Sequence, residues 1–152
     1  MEVTQVVPNS VRYPVPFPYA FPAGALFLGV DKQVDYDRIK EADNQARDEN
    51  GVLLWVVTII DQDPQAAKFG RSPQAKVKIA APQQPVPPPA VEVAGMSIRP
   101  VAFVDLTVTP YSDSSGCKGD RTPHRCRARL AWSYRASAMV APSEIPATAK
   151  AA

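Results

Sequence analysis

The longest apolar run in the chain, Val52 to Ile60, most narrows what this sequence can become. It reads Val-Leu-Leu-Trp-Val-Val-Thr-Ile-Ile, with Gly51 before it and the turn-forming Asp61-Gln62-Asp63-Pro64 after it. Nine residues make a strand and are too few to cross a bilayer. Val, Ile, Thr and Trp favour a strand over a buried helix. Alternation puts Leu53, Trp55, Val57 and Ile59 on one side and Val52, Leu54, Val56 and Ile60 on the other. Both sides are apolar, so this strand needs cover on both and belongs at the centre of a small β domain.

Four other segments read as strands. Residues 24–34 form the first, where Gly24 and Gly29 point to a bend or bulge. Residues 75–81 alternate cleanly, with Val77 and Ile79 inward and Lys76 and Lys78 outward. In residues 100–109, Ala102, Val104, Leu106 and Val108 share a face, leaving Phe103 opposite, either covered by another element or free to stack. Residues 126–138 place Cys126, Ala128, Leu130, Trp132, Tyr134, Ala136 and Ala138 on one face. Arg127, Arg129, Ala131, Ser133, Arg135 and Ser137 fall on the other. Trp132 and Tyr134 thus read as core anchors, and the arginines as a stripe aimed at water. Five strands and little helix predict a mainly β fold, a small five-stranded OB-like barrel or a curled antiparallel sheet. A generic sandwich or open barrel fits the same pattern.

The prolines set the boundaries. There are 17 in 152 residues, roughly twice ordinary usage, clustered at 8–22, 82–100 and 142–146. Residues 1–23 read as a proline- and aromatic-rich segment, with a short edge strand in 1–7 and an extended stretch after it. Prolines 14, 16 and 18 disfavour helix interior and paired strand, while Phe17, Tyr19 and Phe21 suit draping over the domain. The domain proper spans 24–139, interrupted by a semi-rigid connector at 82–99. Residues 140–152 lack a core pattern and read as a disordered tail. Between the first two strands, residues 37–47 fit either a short helix capped by Asp37 or a mobile loop.

The formal charge is +2, unevenly spread. Residues 1–60 carry a net −3 and residues 61–152 a net +5. Between Cys117 and Arg135 six basic residues face the single acid Asp120. Arginine forks match phosphates, and a strand that aims several to one side makes a track for a polyanion. The plainer reading is that these cations only solvate strand faces. The candidate nucleic-acid contacts are Lys76, Lys78, Lys118, Arg121, Arg125, Arg127, Arg129 and Arg135. Phe69 and Arg71, at a loop tip, offer an aromatic between cations. With no recognition helix for the major groove, contact falls on backbone and bases by stacking, with steep salt dependence.

Catalysis finds little support. The lone His124 has no evident nucleophile beside it, and Gly116 and Gly119 open no phosphate-cradling helix. Cys117, His124 and Cys126 are candidate zinc ligands but lack paired short spacing and a clear fourth ligand. A Cys117–Cys126 disulfide or two ordinary thiols are the alternatives. The reading is a non-enzyme without metal or cofactor. No export signal or membrane span stands out, which points to the cytoplasm.

The order of several motifs carries a resemblance. Asp35-Tyr-Asp37, Gly51-Val-Leu-Leu-Trp55, Asp61-Gln-Asp-Pro64, Val77-Lys-Ile79 and Gln84-Pro-Val-Pro-Pro88 come first. Arg99-Pro100, Leu106-Thr-Val-Thr-Pro110 and Arg129-Leu-Ala-Trp-Ser-Tyr-Arg135 follow. Across about residues 24–138 the chain resembles the plasmid replication, integration and excision activator family of actinobacterial mobile elements. The resemblance implies a regulatory accessory protein that turns an integrated element toward excision and replication. It supplies no contact residues, and the aromatic-rich start and the Cys117–Cys126 loop depart from it. The leading expectation is therefore a DNA-binding accessory protein, single-stranded DNA included. Its rival is a protein-interaction module that recruits a replication initiator or other regulators without touching DNA.

Overall fold

The computed structural model describes residues 11–70, 72–113 and 129–145. The strands in order are β1 (Tyr13–Pro14), β2 (Ala25–Lys32), β3 (Leu54–Asp61), β4 (Gln74–Ala80), β5 (Val91–Val93), β6 (Met96–Ile98), β7 (Pro100–Val104), β8 (Thr107–Asp113), β9 (Arg129–Ala136) and β10 (Ala138–Val140). A four-residue helix, α1 (Phe17–Ala20), precedes β2. The class is mainly β. Eight strands form one curled, half-barrel sheet in the order β1-β8-β9-β4-β3-β2-β7-β10, and β5 and β6 pair as a separate hairpin. The sheet is mixed rather than antiparallel throughout, because β4 and β9 run parallel. No helix among the described residues is long and apolar enough to cross a membrane.

The expected central strand is β3, paired along its length with β2 and β4. Trp55, Val57 and Ile59 are buried on its inner face, while Leu54, Val56, Thr58 and Ile60 on the other are half-buried. The indole Nε1–H of Trp55 donates to the carbonyl of Ala81 at 2.9 Å, so the polar atom of this buried ring is satisfied. The register of β2 against β3 slips between Phe27 and Gly29, the bulge that Gly29 foretold. β4 keeps its alternation, with Val77 and Ile79 buried, Lys76 exposed and Lys78 half-buried.

Five predicted strands become more because two of them bend. The segment 100–109 breaks at Asp105, whose φ of 51° is left-handed, a conformation that Asp tolerates better than most residues. The Ser137 hydroxyl donates to Asp105 Oδ2 at 3.0 Å, and Ser137 itself divides β9 from β10. The two kinks face each other. On one side of them β7 pairs with β10, on the other β8 with β9. The ladder thus turns a corner as one bent hairpin, and its two arms lie against β2 and β4 at opposite sides of the meander.

The aromatic N-terminal segment closes the core. Phe17 and Phe21 are buried, 5.5 Å apart between ring centroids; Phe17 lies 6.1 Å from Phe103 and Phe21 lies 5.1 Å from Tyr134. Phe103 is therefore covered, not a stacking surface. Two expectations about proline need correction. Pro18 sits inside α1, but in its first turn, where no intrahelical N–H is required. Pro14 sits in a paired strand, but a two-residue one at the sheet edge.

Three further segments differ from expectation. In place of the proposed 37–47 helix there is a 3-10 turn at Tyr36–Arg38, and Asp35 rather than Asp37 caps it, accepting from the Asp37 amide at 3.1 Å. Three apolar residues, Ile39, Ala42 and Ala46, gave a longer helix too little to bury. The proline connector contains the unforeseen β5–β6 hairpin. Of the expected disordered tail, residues 140–145 are structured, with Pro142–Glu144 forming a 3-10 turn and Ile145 packing on the core; residues 146–152 lie outside the described residues.

Candidate nucleic-acid interface

The hairpins β3–β4 and β8–β9 meet along three register pairs only: Val77 with Tyr134, Lys78 with Arg135, and Ile79 with Ala136. Each hairpin is paired internally over seven positions. Before Val77 and Tyr134 the two part, and an open cleft of about 810 Å³ lies between them. Gln74, Lys76 and Lys78 line it from β4; Tyr111, Leu130, Trp132 and Ser133 line it from β8 and β9.

The parting follows from side-chain supply. β4 presents Ala75, Val77 and Ile79 inward. β9 presents Leu130, Trp132, Tyr134 and Ala136 on the corresponding face. Tyr134 and Ala136 find the core, Tyr134 against Phe21. Leu130 and Trp132 run past its end and stay 63% and 49% exposed. The expectation that Trp132 anchors the core is therefore incorrect: β4 and β9 part before this position, and the inward side chain of β4 at that level is only the small Ala75. Tyr111, opposite Ala131 in register, is also exposed, on the same outer face as Lys76 and Lys78. The cleft thus offers two large aromatic surfaces and two ammonium groups.

Arg135 is the main correction to the arginine stripe. Its guanidinium does not stand free in water. Nη2 donates to Asp48 Oδ2 at 3.2 Å, and Nη1 lies 3.6 Å from Glu49 Oε2. Arg12 holds the other oxygen of Glu49 at 3.0 Å. Asp48 is built for this. Its Oδ1 accepts the amides of Asn50 and Val52 at 2.9 and 2.8 Å, which forms the loop tip and leaves Oδ2 for Arg135. The Asp48 carboxyl is held below its ordinary range by the Val52 amide first, then by the Asn50 amide and the charge on Arg135, against the opposing effect of burial. Glu49 is lowered by its own amide, by Arg12 and by Arg135. The long β2–β3 loop thus clamps β9 from outside, and its acids neutralise the cation that the sequence offered to a polyanion.

At the end of β3, burial raises the carboxyl of Asp61, although it accepts the Asp63 amide at 3.0 Å. Burial also raises the Tyr134 phenol, with a smaller contribution from Asp61.

Of the sequence-derived contacts, the structure brings together Lys76 and Lys78 with the end of β9. Arg129 lies in β9 opposite Asp113. Phe69 lies in the 3-10 turn Pro64–Gly70. Arg71, Lys118, Arg121, Arg125 and Arg127 lie outside the described residues, as do Cys117, His124 and Cys126. Among the described residues no group of three or more His, Cys, Asp or Glu gathers in metal-binding geometry. Sequence reasoning missed Trp132 and Tyr111 as surface residues. The usable signal was the excess of apolar residues on β9 over those that β4 can face.

Comparison with family models, curated proteins and solved structures finds no match to this chain.

Proposed function

We propose that this protein is a non-enzymatic accessory factor that binds nucleic acid through the outer face of β4 and the cleft beside β9. The observation that carries the reading is the alternation of β4, which sends Lys76 and Lys78 outward onto the same cleft as Tyr111 and Trp132. Ammonium groups attract phosphates and aromatic faces accept bases, and the two together form the usual composition of single-strand binding surfaces. The resemblance to activators of plasmid replication, integration and excision supplies the setting, a cytoplasmic regulator of an integrated element.

We also read the sheet as a variant of the five-stranded OB path. Counting β7 with β8 and β9 with β10 as two bent strands gives a three-stranded meander (β2, β3, β4) followed by a hairpin. One arm of that hairpin joins β2 and the other joins β4 in parallel. OB folds bind oligonucleotides on the face of their second and third strands and on the loops beside it. Here those strands are β3 and β4.

The test is binding of labelled single-stranded and duplex oligonucleotides at low and high salt. Binding should weaken steeply with salt, and replacing Lys76 and Lys78 with Gln should reduce the log–log salt slope by about 1.4 for single strands. No binding at low salt would remove the nucleic-acid reading.

One observation favours the rival, a protein-interaction module. The β5–β6 hairpin exposes Val91, Val93 and Met96, and its cross-strand pairs put Val91, Val93, Met96 and Ile98 on one face. The aromatic segment supports this rival less than its sequence suggested, because Phe17 and Phe21 are buried and Tyr19 alone of the three is exposed. Capture of a replication protein that survives nuclease treatment and is lost on replacing Met96 with a charged residue would favour the rival.

A further inference from the structure

The cleft between β4 and β9 carries a more specific assignment, which rests on the nucleic-acid reading above. We infer that it is a base-stacking site for single-stranded nucleic acid, with the Trp132 indole as its platform, and that it does not accept a duplex.

Three observations converge on this. The first is position. Trp132 and Leu130 belong by register to the core-facing side of β9, while Tyr111, Lys76 and Lys78 belong to the outer side. All five line one opening because the sheet itself parts there. A ligand in the opening meets the two sides of the sheet at once. The second is exposure. A tryptophan left half exposed in a strand whose next inward residue, Tyr134, is packed against Phe21 presents a large apolar surface without a described partner. The third is the company it keeps. The polar groups around it are Lys76, Lys78, Gln33, Gln74, Ser72 and Ser133, with cations supplied from β4 and no carboxylate in the described lining. An apolar protein segment has no need of two ammonium groups; a phosphodiester chain with free bases uses both surfaces.

The preference for single strands follows from the shape. Bases in a duplex are stacked on one another and present only their edges, so an indole recessed between two hairpins reaches no π-face. An unpaired base turns its face to the ring while its phosphates remain within the field of Lys76 and Lys78. Every base has such a face, so the site is tolerant of sequence. Lys78 also lines a second, smaller hollow with Arg12, Glu49, Ser133 and Arg135. The Glu49 carboxylate there disfavours phosphate and limits the cationic path to the Lys76 side of the cleft.

The chain's two tryptophans make the test direct. Trp55 is buried with its N–H bonded to Ala81, so quenching on ligand addition reports Trp132. The full chain is titrated with oligothymidylate and with a matched duplex, following intrinsic fluorescence, with affinities read in parallel from a labelled oligonucleotide. Oligothymidylate should quench and the duplex should not. Trp132→Ala should weaken single-strand binding by roughly tenfold and leave the salt slope unchanged. Trp132→Phe should recover part of the affinity. Circular dichroism confirms that each variant is folded; Phe at this half-exposed position keeps the comparison valid should Ala unfold the arm. Equal quenching by the duplex, or wild-type affinity in a folded Trp132→Ala, overturns the inference. In that case a reduced salt slope in the Lys76/Lys78 variant still upholds the broader reading. Absence of binding by any nucleic acid at low salt overturns both.

Discussion

Replacing Phe21 with Ala tests how far the proline-rich start of the chain belongs to the fold. Phe21 is 2% exposed and touches two aromatic partners, Phe17 on its own segment and Tyr134 on β9. Removing a buried phenylalanine costs about 3–5 kcal/mol, through lost transfer energy and the cavity left behind. Aromatic neighbours on two elements, Phe17 on α1 and Tyr134 on β9, limit collapse into that cavity. In a domain of this size such a loss lowers Tm by roughly 6–20 °C. Urea unfolding followed by far-UV circular dichroism reads the free energy. Tyr19→Ala, at a 63% exposed position two residues away, is the control and should stay within about 0.5 kcal/mol of the parent. A double-mutant cycle of Phe21→Ala with Tyr134→Ala should give a coupling of about 0.5–1.5 kcal/mol. A folded Phe21→Ala protein within about 1 kcal/mol of the parent would refute the reasoning. It would mean that the segment lies on the domain without closing its core.

Two further outcomes follow from local geometry. Asp48 and Glu49 have lowered carboxyl pKa values in the fold, so the stability they add is present in full above about pH 4.5 and is lost as pH falls through their folded values. Arg135→Gln should flatten that acid-side decline in urea midpoint without abolishing it, since the Val52 amide remains the first cause at Asp48; an unchanged profile would remove Arg135 from the cluster. In the β5–β6 turn, Ala94 and Gly95 have φ of 51° and 78°, a pair of left-handed residues suited to a two-residue hairpin turn. Ala94→Gly should relieve about 1 kcal/mol of strain and slow amide exchange at Val93 and Met96, leaving global Tm unchanged; faster exchange would contradict this.

The sequence was most legible where one strand face is clearly apolar. The Val52–Ile60 run and the Lys76/Val77/Lys78/Ile79 alternation specify β3 and β4 because each inward side chain has a partner to cover it. Less legible were features set by what lies opposite. A Trp at position 132 looks like core in its own strand, and becomes surface because β4 and β9 part before it and β4 offers only the small Ala75 at that level. Arg135 looks free in its own strand, and is neutralised by Asp48 and Glu49, 87 and 86 positions earlier. The kinks at Asp105 and Ser137 leave no mark on hydrophobic alternation, so two bent strands read as two straight ones. The β5–β6 hairpin was hidden by the proline density before it, although Ala94-Gly95 between Val-Glu-Val and Met-Ser-Ile is a fair turn signal.

The most direct measurement is backbone and indole chemical-shift mapping by NMR during titration with oligothymidylate at low salt. The account predicts perturbations at Lys76, Lys78, Tyr111 and the Trp132 indole N–H, with the Trp55 indole and the β5–β6 hairpin unmoved. Shifts centred on Val91, Val93 and Met96, with the β4–β9 cleft silent, would contradict it.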